Sequence, residues 1–191
     1  TVADTGEKLS LFYHTHRELF NCETPEMPVR MIMCAAKEPL SIQIHPDDDY
    51  ALAHEGMRGK PEGSLVLECD EDFRMLHGHF AKTLEEFKAL AGARDGKTLC
   101  RYIRPRTGEY IHIPHGTLHA FGPGAVVIAF SVNGDVPSRL YDYDRVDPDT
   151  GKTRPTHPED VYANVNIPDK LVEPYRALPE ETDGCRIFRY H

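Results

Sequence analysis

Two polar side chains that could bind a metal ion alternate with isoleucines in the segment 40–48. Gln43 and His45 fall on one face of a β-strand and Ile42 and Ile44 on the other, because successive side chains of a strand point to opposite faces. With a rise of about 3.3 Å per residue, the Cα atoms of Gln43 and His45 stand roughly 7 Å apart, and inward-leaning side chains can close this gap around one ion. The spacing predicts the beginning of a metal site on a β-strand.

Two later segments supply further metal-binding groups. The run 59–63 carries the carboxylate of Glu62, and a strand-turn-strand pattern at 110–120 carries His119. Gln43, His45, Glu62 and His119 are therefore predicted to hold one ion inside a closed sheet. His112 and His115 leave an alternative open, a three-histidine site formed with His119.

Other clusters of polar residues are interpreted as structural. His77 and His79 flank Gly78 and are expected at the surface. The acidic run 47–49 is interpreted as the beginning of a helix, since the glycine and the terminal glutamate of an EF-hand calcium loop are missing.

Length and charge limit the class of protein. The 191 residues can bury one sizeable core, so one main domain with irregular ends is expected. The 22 lysines and arginines against 31 aspartates and glutamates give a net charge of −9, which argues against nucleic acid or a membrane as partner. The oligomeric state cannot be inferred, and a phosphorylated substrate would need a local cationic pocket. No long apolar stretch or signal-peptide pattern stands out, and we expect a soluble, cytoplasmic protein.

Short apolar runs separated by turn residues predict an all-β-dominated fold. Strands are expected at 64–69, 75–77, 99–103, 109–113, 118–121, 125–132 and 138–143. Many short strands at this spacing are typical of a barrel or a double-sheet jelly roll. The run 29–36 could pair as a hairpin with the strand of Gln43, and a last strand is expected near 185–190.

Short peripheral helices are predicted beside the strands. The clearest spans 83–93, where Thr83 is the N-cap and Glu86 completes a capping box before an apolar stripe. Helices are also expected at 10–20 and 50–57. We divide the chain into a helical entry segment at 1–28, a metal-binding barrel with a helical insertion at 29–145, and a C-terminal segment at 146–191 that wraps the surface or begins a second, absent barrel.

These motifs resemble those of the type I phosphomannose isomerases, zinc enzymes of the cupin superfamily that interconvert mannose 6-phosphate and fructose 6-phosphate. The resemblance covers most of the chain and rests on four segments, at 40–48, 59–62, 113–120 and 139–145. It implies a cupin-type jelly-roll β-barrel. It also implies that Gln43, His45, Glu62 and His119 hold zinc, that Arg139 is an active-site arginine, and that Ser41 and Lys60 lie in the sugar-phosphate pocket.

Three departures from the family pattern keep a second function open. Ala129 stands where the family usually has a glutamate, Ser64 stands where many bacterial members have an aromatic residue, and the family generally has a further N-terminal segment and a second barrel. The alternative is a catalytically weak or inactive cupin that holds a metal and binds a sugar phosphate or serves in assembly. A third interpretation is another cupin activity, such as an iron dioxygenase.

The predicted reaction needs groups that move a proton and stabilise charge. Aldose–ketose exchange moves a proton between C1 and C2, and negative charge develops on oxygen in the enediolate. Lys60 could move the proton if burial favours its neutral form, and a histidine or a metal-bound water could serve equally well. Arg139 could bind the phosphate or stabilise the enediolate, and the sequence does not separate these roles.

Overall fold

The computed structural model describes residues 1–22, 24–134 and 137–177. Within these ranges, two five-stranded antiparallel sheets pack face to face, which confirms the predicted all-β-dominated, cupin-type jelly roll. In chain order the strands are β1 (Val29–Ala35), β2 (Ile42–Ile44), β3 (Glu62–Cys69), β4 (Met75–His79), β5 (Cys100–Ile103), β6 (Glu109–Ile113), β7 (His119–Ala120), β8 (Ala125–Val132), β9 (Ser138–Tyr141) and β10 (Tyr175–Arg176). The strand order is β1-β8-β3-β6-β10 in the first sheet and β5-β4-β7-β2-β9 in the second.

Short helices lie outside the sheets. They are α1 (Leu9–Thr15), a 3₁₀ helix (Arg17–Phe20), α2 (Asp48–Glu55), α3 (Leu84–Gly92), α4 (Gly96–Leu99) and α5 (Pro158–Asn164). The side chain of Thr83 caps α3 by accepting a hydrogen bond from the Glu86 amide, while the Glu86 carboxylate accepts one from the Lys82 amide. Among the described residues, no helix is long and apolar enough to cross a lipid bilayer.

Two apolar clusters hold these layers together. One lies between the sheets and contains Val66, Met75, Ile111 and Val127. The other joins the second sheet to the helices, with Ile44 and Leu76 packed near Phe87 of α3 and Val161 of α5. The inner cluster occupies one part of the space between the sheets, and polar side chains on the same inner faces occupy another.

Several local expectations need correction. The hairpin between β1 and β2 is wrong: β1 pairs with β8 in the first sheet, and β2 pairs with β7 and β9 in the second. The expected helix at 10–20 is divided into α1 and the 3₁₀ helix. The strand expected near 185–190 lies outside the described residues.

The described part of the C-terminal segment is joined to both sheets. Strand β10 adds to β6 at the edge of the first sheet. Asp169 is buried in an ion pair with Arg101 of β5, and the backbone amide of Asn166 donates to Gly116 in the turn before β7. The segment therefore supports the turn that leads to His119.

Candidate metal centre

The register of the second sheet brings three predicted site residues into one row. Gln43 on β2 lies directly opposite His119 on β7, and on its other side opposite Arg139 on β9. Directly opposite residues of antiparallel strands share a face of the sheet. The three side chains therefore point the same way, although each belongs to a different strand of two to four residues.

His45, Glu62 and His119 converge from both sheets. Their candidate ligand atoms all lie within 4.8 Å of one another, and all three residues are buried. Nε2 of His45 is 3.0 Å and Nε2 of His119 is 3.6 Å from the same Glu62 oxygen, Oε2. Among the described residues, these three form the one group of histidine, cysteine or acidic side chains that lies close enough together to hold a metal ion.

Hydrogen bonding fixes the tautomer of His119. Its Nδ1 lies 2.9 Å from the Thr117 carbonyl oxygen, which can only accept a hydrogen bond, so Nδ1 carries the proton. Nε2 is then the ring nitrogen that faces Glu62, and it is the atom that would bind an ion in place of a proton. A histidine whose second nitrogen donates to a carbonyl is the usual arrangement for a metal ligand.

Burial sets the protonation of the other two members. Burial lowers the pKa of His45, and its hydrogen bond with Glu62 opposes the effect only in part. Burial alone would raise the pKa of Glu62, but hydrogen bonding with His119 and His45 and the charge of Lys60 bring it below its ordinary value. The cluster therefore presents a neutral imidazole beside an ionised carboxylate, the forms that bind metals.

The remaining predicted residues surround this cluster. The Lys60 side chain is buried, and its Nζ lies 3.9 Å from Oε2 of Glu62. Ser41 is also buried and donates its hydroxyl to Oε1 of Gln43 over 3.1 Å. This bond uses one lone pair of the amide oxygen and leaves the other for a further partner.

Arg139 is positioned by its backbone as well as by its register. Its amide donates to Nδ1 of His157 over 3.2 Å, and its carbonyl accepts from the His157 amide. The Nε of its side chain is buried and has no hydrogen-bond partner in the described part of the chain. A guanidinium group held in this way retains a donor for an anionic ligand.

The three-histidine alternative does not match the geometry. The side chain of His112 is exposed, and Nδ1 of His115 donates to the Pro46 carbonyl over 2.9 Å. Of the candidate histidines in the segment 110–120, His119 alone joins His45 and Glu62.

The acidic run at 47–49 begins a helix, as expected. The side chain of Asp47 caps α2 by accepting a hydrogen bond from the Tyr50 amide.

Sequence reasoning misplaced two histidines and missed one contact. His77 and His79 are fully buried instead of lying at the surface. His77 lies directly opposite His119, and the alternation from the core residue Met75 along β4 would have placed it inward. Ser64 and Ala129 prove to be directly opposite partners beside Glu62, with the hydroxyl of Ser64 buried and unpartnered among the described residues.

The chain is similar to several proteins described as mannose-6-phosphate isomerases. The chain is 38% identical over 155 residues to a mannose-6-phosphate isomerase of Streptococcus mutans, covering 81% of this chain and 49% of that protein. It is 37% identical over 173 residues to a "Probable mannose-6-phosphate isomerase" of Bacillus subtilis, covering 88% of this chain and 55% of that protein. The crystal structure of the mannose 6-phosphate isomerase from Bacillus subtilis superimposes with a TM-score of 0.82 at 32% identity, over 89% of this chain and 55% of that one.

The matches cover most of this chain but only part of each relative. The chain spans about half the length of the curated relatives that it matches. No protein-family profile matches it.

Proposed function

Since the chain is homologous to the mannose-6-phosphate isomerases, we propose that it is a zinc-dependent aldose–ketose isomerase that interconverts mannose 6-phosphate and fructose 6-phosphate. The observation that carries the proposal is the buried cluster of His45, Glu62 and His119 in a chain 34–38% identical to proteins of that name. We place the reaction in the cytoplasm, because a charged sugar phosphate does not cross a membrane unaided.

The residues present fit a zinc ion. Two imidazoles and one carboxylate are ordinary zinc ligands, and we assign Gln43 as the fourth because it lies directly opposite His119 on the same face. This donor set carries one negative charge, so a bound ion keeps a net charge near +1. When bound, zinc would supply the Lewis acidity that stabilises negative charge on the oxygens at C1 and C2 of the substrate.

The chain's own residues would orient the sugar and move the proton. Ser41 holds the Gln43 amide in place through its hydroxyl. Lys60 is buried beside Glu62, close enough to the cluster to donate to a sugar oxygen or to exchange a proton with carbon when neutral. We assign Lys60 to the proton transfer, because it is the buried amine nearest the ligand group in the described residues.

Arg139 is assigned to the substrate's negative charge. It lies in the same row as Gln43 and His119, and its Nε has no protein partner among the described residues. A fixed guanidinium can bind the phosphate in a bidentate manner or face the enediolate oxygens. Both roles predict that the arginine acts on the substrate and not on the metal.

A coupled assay tests the proposal directly. Metal-free protein reconstituted with zinc is mixed with mannose 6-phosphate, and fructose 6-phosphate is measured through its further enzymatic conversion. His119→Ala should lose activity together with zinc, whereas His112→Ala, which changes an exposed histidine of the same segment, should retain both. Zinc binding without product formation would refute the isomerase and favour a metal-holding sugar-phosphate binder.

The identity of the ion is tested separately. A two-histidine, one-carboxylate set is also used by non-haem iron enzymes, but a fourth donor from Gln43 fills a position that such enzymes leave open. Elemental analysis of protein purified without added metal should give zinc. Iron, together with oxygen-dependent turnover, would assign the cluster to a dioxygenase instead.

A further inference from the structure

His77 is a buried histidine that the proposed reaction does not use. It lies in the middle of β4 with 0% of its surface exposed, directly opposite His119 in the second sheet. The two side chains therefore share the inner face, and their Cβ atoms are expected to be about 5 Å apart. His77 is thus beside the candidate metal centre without belonging to its ligand group, which consists of His45, Glu62 and His119.

The imidazole ring of His77 makes a hydrogen bond that crosses between the sheets. Its Nε2 lies 2.9 Å from the backbone carbonyl oxygen of His112 on β6. Because a carbonyl only accepts, Nε2 carries the proton. Strand β6 belongs to the first sheet. Ile113, the residue after His112, pairs there with Glu62 of β3.

His112, whose carbonyl accepts this hydrogen bond, lies beyond the part of β6 that pairs with β10. Strand β10 pairs with β6 at Tyr110 and Glu109, and in the described residues this pairing does not reach His112. On its other side, His112 lies opposite Gly63, the neighbour of Glu62. The His77 ring therefore connects β4, which pairs with the strand of His119, to β6, which pairs with the strand of Glu62.

We propose that His77 is a positioning residue that fixes the distance between the sheet carrying His119 and the sheet carrying Glu62, and so prepares the metal centre. The inference rests on the proposed metal site. Nδ1 of His77 is buried and has no hydrogen-bond partner in the described part of the chain. The contact with His112 is therefore the polar interaction that holds the ring in this position. Groups that orient metal ligands from outside the ligand set typically change metal affinity by 10–100-fold when they are removed.

Zinc affinity measured by competition with a chromophoric chelator tests the proposal. His77→Phe keeps a ring but removes the donor, and it should weaken zinc binding by about 10–100-fold. His77→Gln keeps an N–H group that can reach a carbonyl, and it should restore affinity close to that of the wild type. The visible absorption of the cobalt-substituted protein should change in His77→Phe and return in His77→Gln, because it reports the ligand geometry.

His79 supplies a matched control. It is also fully buried, and its Nε2 donates to the Asn166 carbonyl over 2.8 Å, in the C-terminal segment and not in the opposite sheet. His79→Phe should lower stability and should weaken zinc binding much less than His77→Phe does, because its partner does not lie in the sheet that carries Glu62. An equal loss of affinity in His79→Phe, or wild-type affinity in His77→Phe, would overturn the proposal.

One measurement on the unaltered protein remains decisive if the variants fail to fold. Nitrogen-15 NMR should find His77 in the tautomer with the proton on Nε2, and the opposite tautomer would overturn the inter-sheet contact. Failure of the wild-type protein to bind zinc would instead refute the metal centre itself, so the two failures are distinguishable.

Discussion

Single residues at the site are prepared for ligation by burial and by hydrogen bonds to the backbone. His119 has 2% of its surface exposed, and its Nδ1 proton is held by the Thr117 carbonyl. Burial keeps His45 neutral by lowering its pKa. The neutral imidazole is the form in which a histidine binds a metal ion.

Replacement of Arg139 separates substrate binding from metal binding. Arg139→Ala should keep zinc but lower kcat/KM by about 100-fold or more, because a charge-assisted donor to the substrate is lost. A fall in kcat would assign the arginine to the enediolate, and a rise in KM would assign it to the phosphate. Steady-state kinetics in the coupled assay measure both constants.

Arg94 provides the control for this replacement. Its side chain is 62% exposed and pairs with Asp144 at the surface. Arg94→Ala should leave the kinetics unchanged. Wild-type kinetics in Arg139→Ala would remove Arg139 from the active site, and loss of zinc in that variant would make it a structural residue.

At the level of secondary structure, two very short strands and one close backbone contact determine where the candidate metal ligands lie. Strands β2 and β7 have three and two residues, yet their register sets Gln43 opposite His119. Glu62 begins β3 directly after a segment that is pressed against the beginning of α2. A Cβ atom on Gly59 would lie 2.5 Å from the backbone carbon of Asp47.

Replacement of Gly59 should disturb this segment. Because the colliding atoms belong to the backbone, Gly59→Ala must displace the chain leading to Lys60 and Glu62, and we expect a loss of about 2 kcal/mol in the free energy of unfolding. Zinc affinity should fall as well. Urea denaturation of the metal-free protein and metal competition measure the two effects.

Gly92 should respond in the opposite direction. A Cβ atom there meets nothing within 4 Å, and the residue ends α3. Gly92→Ala should therefore stabilise the protein by roughly 0.5–1 kcal/mol. A Gly59→Ala protein as stable as the wild type would contradict the close contact.

Local patterns predicted the elements better than their partners. The alternation around Gln43 and the capping signal at Thr83 identified β2 and α3 within a few residues, because both depend on neighbours in sequence. The assignment of β1 to a hairpin with β2 failed because the choice of sheet depends on contacts distant in sequence. The metal cluster was predicted by residue type and resemblance, whereas the position of His77 required the pairing of β4 with β7.

At the scale of the whole molecule, a buried carboxylate ties the end of the barrel to the chain that follows it. Asp142, directly after β9, accepts two hydrogen bonds of 2.7 Å from Arg154 and a further one from Arg145. Arg145 also donates to the Pro39 carbonyl, just before the segment of the metal site. The carboxylate is 3% exposed, so its charge depends on these partners.

The Asp142 cluster predicts a dependence of stability on pH. Burial alone would raise the pKa of Asp142, but the hydrogen bonds from Arg154 and Arg145 lower it below its ordinary value. A lowered pKa stabilises the folded state fully above about pH 4 and progressively less as pH falls through the folded-state pKa. Asp142→Asn should cost about 2 kcal/mol at pH 7, and its difference from the wild type should shrink in acid.

Asp144 serves as the comparison for this effect. Its pair with Arg94 is exposed on both sides, so Asp144→Asn should cost less than about 1 kcal/mol. Thermal unfolding followed by circular dichroism between pH 3 and pH 7 measures both variants. A constant difference between Asp142→Asn and the wild type over this range would contradict the assigned ionisation.

The most direct measurement of the metal centre is an anomalous-difference map, recorded at the zinc edge, from crystals of zinc-loaded protein. One peak is expected about 2.0–2.2 Å from Nε2 of His45, a carboxylate oxygen of Glu62 and Nε2 of His119, with the amide oxygen of Gln43 as the fourth ligand. A map without a peak among these side chains, or with its peak at His112 or His115, would contradict this prediction.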